Sequence, residues 1–162
     1  MSFVIIVYNI RSAHNIGSIF RTSDGSGVEK LFLTGYTPTP ATQETVYLTR
    51  SHKDFAKTAL GAEKNIPWEC VEDIVPLLKK LKAQGYGIVA LEQSEKSIDY
   101  RAYQPPQKVA LIIGNEVLGV DADILRQCDN ILEIPMRGQK NSLNVSVAFG
   151  IAAFEIKSKM EV

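Results

Sequence analysis

The chain is punctuated by short apolar runs whose residues do not alternate with polar ones: Phe3 to Tyr8, Lys30 to Thr34, Gly87 to Leu91, Val109 to Ile113 and Asn130 to Ile134, with a weaker run from Trp68 to Val71. A strand that is apolar on successive residues is buried on both faces. Such strands, separated by helical segments, form a parallel sheet covered on both sides. Helical patterns do fall between them, at Asn15 to Ser26, Ser51 to Leu60, Asp73 to Gln84, Asp121 to Gln127 and Asn144 to Lys159, several opened by a capping residue. Gly27 and Gly85 sit where helix C-caps belong. The Pro-containing stretches Thr37 to Pro40 and Gln104 to Gln107 break the chain as loops but are too short to separate domains. The 162 residues therefore predict one α/β domain, doubly wound.

The last helical segment has two apolar stripes. Val145, Ala148, Phe149, Ala152 and Ile156 form one; Val147, Ile151 and Phe154 form the other. One stripe covers the sheet, and the simplest use of the second is a partner subunit, so a homodimer is expected.

Charge narrows the functional classes. Lys and Arg number 18 and so do Asp and Glu, a balance that argues against gripping nucleic acid through one large basic surface. The distribution is uneven: residues 1–60 carry Arg11, Arg21, Lys30, Arg50, Lys53 and Lys57 against Asp24, Glu29, Glu44 and Asp54, so a polyanion site belongs there. No apolar stretch is long enough to cross a bilayer, and the N-terminus has no basic leader. Cys70 and Cys128 lie far apart without CxxC spacing, which offers neither a zinc framework nor a disulfide scaffold and fits a cytoplasmic protein. His14 and His52 are the only histidines, and with no HExxH or Cys-His pairing no metal site is expected.

Three polar clusters follow predicted strands, where a packed core has no use for them. The first runs from Asn9 through Arg11, Ser12, His14, Asn15 and Gly17 to Arg21; the second is Gly114-Asn115-Glu116-Val117-Leu118-Gly119; the third extends from Ile134 and Met136 through Ser142, Leu143 and Asn144 to Ser146. In open α/β sheets ligands bind beyond the carboxyl ends of strands, so three clusters at three strand ends can share one site. Asn15 and Arg21 are under two turns apart, a spacing that can turn both towards one pocket. The second cluster is neither a nucleotide-triphosphate loop, since no Lys-Ser or Lys-Thr follows, nor a GxGxxG dinucleotide fingerprint. No GxSxG elbow supports a hydrolase.

Taken together, in order and spacing, the three clusters resemble the motifs of the SpoU (TrmH-like) branch of the SPOUT RNA methyltransferases. Asn15-Ile16-Gly17 with Arg21 and Gly27 is similar to the first motif, Ile113 to Gly119 to the second, and Ile134-Pro135-Met136 with Ser142-Leu143-Asn144-Val145-Ser146 to the third. The resemblance implies a Rossmann-like parallel sheet whose C-terminal part is tied in a deep trefoil knot, an obligate dimer, and S-adenosylmethionine as methyl donor. It implies that the donor is held chiefly by backbone around Leu91, Gly114, Ile134, Met136 and Leu143, and that Asn15, Arg21, Glu116, Ser142 and Asn144 form the catalytic set, some of them donated across the dimer. The implied reaction is methylation of an RNA ribose 2′-hydroxyl, with transfer RNA favoured over ribosomal RNA. A non-catalytic RNA-binding protein of the same fold is the alternative.

The resemblance also assigns removal of the hydroxyl proton to Arg21. A guanidinium with a pKa above about 12 is poorly suited to that. The chemistry instead predicts that Arg21 holds the adjacent phosphate and stabilises alkoxide charge, while Asn15 and Asn144 orient the site, Ser142 bonds donor or ribose, and Glu116 orients Arg21. With the first strand beginning at Phe3 and the last helix nearly reaching Val162, residues 1–162 are expected to be a catalytic domain with no RNA-binding extension.

Overall fold

A computed structural model describes residues Met1–Val162. Seven strands, β1 (Ser2–Tyr8), β2 (Lys30–Thr34), β3 (Trp68–Val71), β4 (Gly87–Leu91), β5 (Ile98–Asp99), β6 (Lys108–Ile113) and β7 (Asn130–Glu133), form one sheet in the order β3-β2-β1-β6-β4-β7-β5. Every pairing is parallel. The helices are α1 (Ala13–Ser26), α2 (Arg50–Ala59), α3 (Ile74–Ala83), α4 (Ala122–Leu125) and α5 (Val145–Met160).

The pleat distributes β1 between two cores. Phe3, Ile5 and Val7 point to one face with Ile16, Ile19 and Phe20 of α1, Phe55 of α2, and Phe149 and Ala152 of α5. Val4, Ile6 and Tyr8 point to the other, with Ile74, Leu77, Leu78 and Leu81 of α3 and Ile124 of α4. Burial on both faces is why these strands read as unbroken apolar runs. On the first face the rings of Phe20 and Phe55 meet edge to face at 5.2 Å, a contact whose loss by truncation costs about 3–5 kcal/mol.

Local chemistry sets the helix ends. Ser12 caps α1 by accepting from the Asn15 amide, and Gly27, at φ 70°, ends it in the left-handed conformation. Gly17 lets α1 meet α2: a Cβ there would lie 2.4 Å from the Phe55 carbonyl oxygen. At the same crossing the Thr58 hydroxyl donates to the His14 carbonyl at 2.9 Å.

The two-stripe reading of α5 agrees with the fold. Phe149, Ala152 and Ile156 are buried, whereas Val147, Ile151 and Phe154 are exposed, Phe154 by 55%. One expectation needs correction, and one strand had none. The helix expected over Asp121 to Gln127 spans only Ala122–Leu125, and β5 has no periodic signal because it is two residues long. No helix is long and apolar enough to cross a membrane.

Candidate active site

The order of strands reverses direction at β1 and β6, and at their carboxyl ends the first two polar clusters meet. β1 is followed by Asn9, a non-glycine residue at φ 54°. Its Oδ1 accepts from the Tyr36 amide at 3.3 Å, and its carbonyl accepts from Asn115 Nδ2 at 2.8 Å. Gly35 makes room for this turn, since a Cβ there would sit 1.9 Å from Asn9 Oδ1. Asn115 is buried with its hydrogen-bonding capacity filled: Nδ2 also donates to the Tyr36 hydroxyl, and Oδ1 accepts from the Val117 and Leu118 amides, both at 2.8 Å. Asn115 thus ties the end of β1 to the loop after β6.

Glu116 extends outward from that loop. Its Oε2 accepts from the Arg11 amide at 3.1 Å, and its Oε1 from the Ser12 amide at 3.0 Å and from Asn15 Nδ2 at 3.1 Å. Burial pushes its carboxyl pKa up. The amides of Arg11, Ser12 and Glu116 itself, with the Asn15 side chain, outweigh that and hold it below the ordinary value. Asn15 Oδ1 in turn accepts from Asn144 Nδ2 at 3.1 Å. Asn144 caps α5, its Oδ1 accepting from the Ser146 amide at 2.9 Å and the Ser146 hydroxyl at 2.7 Å. A continuous polar chain, Glu116 to Asn15 to Asn144 to Ser146, therefore joins all three clusters.

Beside this chain opens a pocket of about 360 Å³ at the carboxyl ends of β4, β6 and β7. Its wall includes Leu91, Gly114, Ile134, Met136 and Leu143, all five residues expected around a donor, together with Glu116, Ser142 and Asn144. The loops after β4, β6 and β7 supply it, and the Gln93 side-chain amide donates to the Asn141 carbonyl, closing the first loop onto the third.

Arg21 does not join this assembly within one chain. It is exposed on α1 and makes no hydrogen bond or ion pair with Glu116, whose partners within the chain are the Arg11 and Ser12 amides and Asn15, so Glu116 does not orient it there. The expectation that Asn15 and Arg21 face one pocket fails for the same helix: six residues place them about 120° apart around the axis. Ser142 is exposed at the pocket wall.

The family model described as the SpoU rRNA Methylase family matches residues 2–154. The chain belongs to the SpoU methylase family. A TrmH family protein of Staphylococcus saprophyticus is 35% identical over 159 residues, covering 98% of this chain and 59% of that one. The chain spans about three fifths of the length of the curated relatives it matches. Among solved structures, a TrmH/SpoU tRNA modifying enzyme of A. aeolicus superposes with a TM-score of 0.82 at 30% identity, covering 99% of this chain and 76% of that chain. An AdoMet-bound rRNA methyltransferase of Sinorhizobium meliloti superposes with a TM-score of 0.85 at 26% identity, covering 97% and 56%.

Two residues of this SpoU site escaped the sequence reading. Glu92 follows β4 and accepts from the Val120 amide at 3.0 Å, clasping the second loop; Gly119 sits at φ 69°, a left-handed conformation that favours glycine, and a Cβ there would push the Glu92 carboxylate aside. Asn115 was visible only as part of a motif. An acid one residue after a strand and an Asn inside a polar loop are common, so only their partners distinguish them.

Proposed function

We propose that the protein transfers a methyl group from S-adenosylmethionine to a ribose 2′-hydroxyl of an RNA, as a homodimer. One observation carries the reading: the pocket framed by Leu91, Gly114, Ile134, Met136 and Leu143 opens beside the Asn15, Glu116 and Asn144 network. Its volume falls within the range of small-molecule sites, and its wall mixes the apolar side chains Leu91, Ile134, Met136 and Leu143 with the polar Glu92, Gln93 and Ser142, as an adenosyl group joined to an amino acid requires. The deep trefoil knot belongs to the same proposal, since the three loops that build the pocket are those it would tie.

Bound S-adenosylmethionine supplies an electrophilic methyl carbon. The residues of the chain contribute position and charge. Leu91, Gly114, Ile134, Met136 and Leu143 hold the donor, Ser142 bonds donor or ribose, and Asn15 and Asn144 orient the nucleotide. Holding the 2′-oxygen in line with the methyl carbon supplies much of the acceleration. The hydroxyl proton would pass to solvent water as the oxygen–carbon bond forms and the donor's methyl–sulfur bond breaks to leave S-adenosylhomocysteine, while Arg21, permanently charged, holds the neighbouring phosphate and stabilises the developing oxyanion. Arg21 serves the partner's site: it lies next to Thr22, against which Gly150 of α5 packs, and the exposed Val147, Ile151 and Phe154 of that helix form the surface a second subunit would cover.

Transfer RNA is the favoured substrate, supported by the likeness to the A. aeolicus enzyme, of which the chain covers more than it does of the ribosomal RNA enzyme. The protein incubated with labelled S-adenosylmethionine and separate transfer and ribosomal RNA pools is expected to label a ribose of transfer RNA, located by mass spectrometry. Label in ribosomal RNA alone would overturn the substrate, label on a base would overturn the 2′-hydroxyl, and absence of label with the donor bound would favour a non-catalytic RNA-binding role.

A further inference from the structure

Tyr36 lies beside the site and has no part in the chemistry proposed above. Its side chain is exposed by 52%, and it is nonetheless held at both ends. The Tyr36 amide donates to Asn9 Oδ1 at 3.3 Å, and the hydroxyl accepts from Asn115 Nδ2 at 2.9 Å. The next residue, the buried Thr37, accepts from the Ile10 amide at 3.3 Å and donates to the Thr34 carbonyl at 2.8 Å, which pins the turn after β2 to the end of β1. An aromatic side chain ordered in this way gives up rotational freedom, and the part of it left in water gains no burial in exchange.

Arg11 shares this surface. Its guanidinium carbon lies 6.0 Å from the centroid of the Tyr36 ring, and the side chain is exposed and in no ion pair. The Arg11 amide donates to Glu116 Oε2 at 3.1 Å, so the backbone that carries this charge is fixed to a carboxylate lining the donor pocket. Asn115, which holds the Tyr36 hydroxyl, lines the same pocket. An unpaired cation and an exposed aromatic ring, each one hydrogen bond removed from the pocket wall, fit a ligand that carries both a π-face and a negative charge. A nucleotide has both.

We infer that Arg11 and Tyr36 receive a nucleotide next to the methylated one in the RNA strand, its base stacked on the Tyr36 ring and its phosphate held by the Arg11 guanidinium. The inference rests on the RNA reading above and deepens it, extending recognition past the methylated ribose. Stacking on an aromatic ring accepts any base, so the pair sets position more than sequence. It also requires a base whose face is free, which a nucleotide inside a duplex does not offer; the flanking nucleotide is therefore unpaired, in a loop, a bulge or a strand end.

The test compares wild type with Tyr36→Phe, Tyr36→Leu and Arg11→Gln in filter binding of end-labelled, unfractionated transfer and ribosomal RNA and in steady-state methyl transfer. Tyr36→Leu is expected to weaken RNA binding and raise KM for RNA by about ten-fold, with the native circular dichroism spectrum and S-adenosylmethionine binding retained, whereas Tyr36→Phe, which keeps the ring, stays within about two-fold of wild type. Arg11→Gln is expected to reduce the slope of log affinity against log salt by about 0.7, the share of one phosphate on a single strand. Equal impairment of the Phe and Leu variants would show that only the hydroxyl bond to Asn115 matters and would overturn the inference, as would wild-type RNA binding in Tyr36→Leu or an unaltered salt slope in Arg11→Gln. A Tyr36→Leu chain that sediments as a monomer while wild type is dimeric would make this patch a subunit contact and overturn it too. A wild-type protein that binds no RNA sinks the inference together with the RNA reading; RNA bound through Tyr36 but never methylated sinks the activity and leaves the inference standing.

Discussion

Asn144 Nδ2 donates to Asn15 Oδ1 across 3.1 Å, joining the first turn of α5 to the first turn of α1 over 129 residues of chain. Because Asn15 also donates to Glu116, and Asn144 also caps α5, this single contact fixes three loops relative to one another.

Asn144→Ala removes both the cap and the link. A loss of about 1 kcal/mol in urea denaturation is expected from the cap. Single-turnover methyl transfer should fall by about 10²-fold, in line with what misplacement of a positioned substrate costs. Asn144→Ser, which keeps a capping oxygen but cannot reach as an amide does, should restore most of the stability and little of the rate.

For Arg21 the comparison is between Lys and Ala. If the guanidinium works by bidentate hold on phosphate and oxyanion, both variants lose single-turnover rate, Ala by about 10²- to 10³-fold and Lys by less, with S-adenosylmethionine affinity unaltered. Near-native chemistry in Arg21→Lys would show that the planar fork is not needed.

Glu116 has a folded pKa below the ordinary carboxyl value, the backbone donors outweighing its burial. A depressed folded pKa contributes stability that is present above the unfolded value and is lost as pH falls through the folded one. Melting temperatures measured from pH 7 down to about 3 should therefore converge for wild type and Glu116→Gln, the variant being the less stable at pH 7. A constant gap across that range would mean that the carboxylate charge is not what holds the Arg11 and Ser12 amides.

Gly114 tests the pocket wall. A Cβ at that position would lie 2.6 Å from Val120 Cγ2 and 2.7 Å from the Gly119 carbonyl carbon, so Gly114→Ala must displace the second loop. Weakening of S-adenosylmethionine binding by at least about ten-fold in calorimetry is expected, with destabilisation of about 1–3 kcal/mol.

The second stripe of α5 is tested by charge. Phe154→Asp is expected to keep the native circular dichroism spectrum, since the side chain is exposed in the single chain, while shifting the mass in analytical ultracentrifugation from dimer to monomer, lowering the melting temperature through the lost association and abolishing methyl transfer. A variant that stays dimeric, or a monomer that keeps its rate, would remove the case for Arg21 acting in the partner's site.

The sequence alone determined the sheet except for β5. Phe3 to Tyr8, Lys30 to Thr34 and Gly87 to Leu91 announce buried parallel strands because both of their faces must be apolar, a property each residue carries without reference to distant ones. It also determined that polar clusters follow β1, β6 and β7, and the opposed stripes of α5. Only the tertiary structure decided which polar group meets which. Glu116 was expected beside Arg21 and instead holds the Arg11 and Ser12 amides; Glu92 and Asn115 gained their roles from partners at the far ends of other strands. Apolar burial is legible because it depends on a residue's own character and local period, whereas a hydrogen bond depends on the position and direction of two groups that only the folded chain brings together.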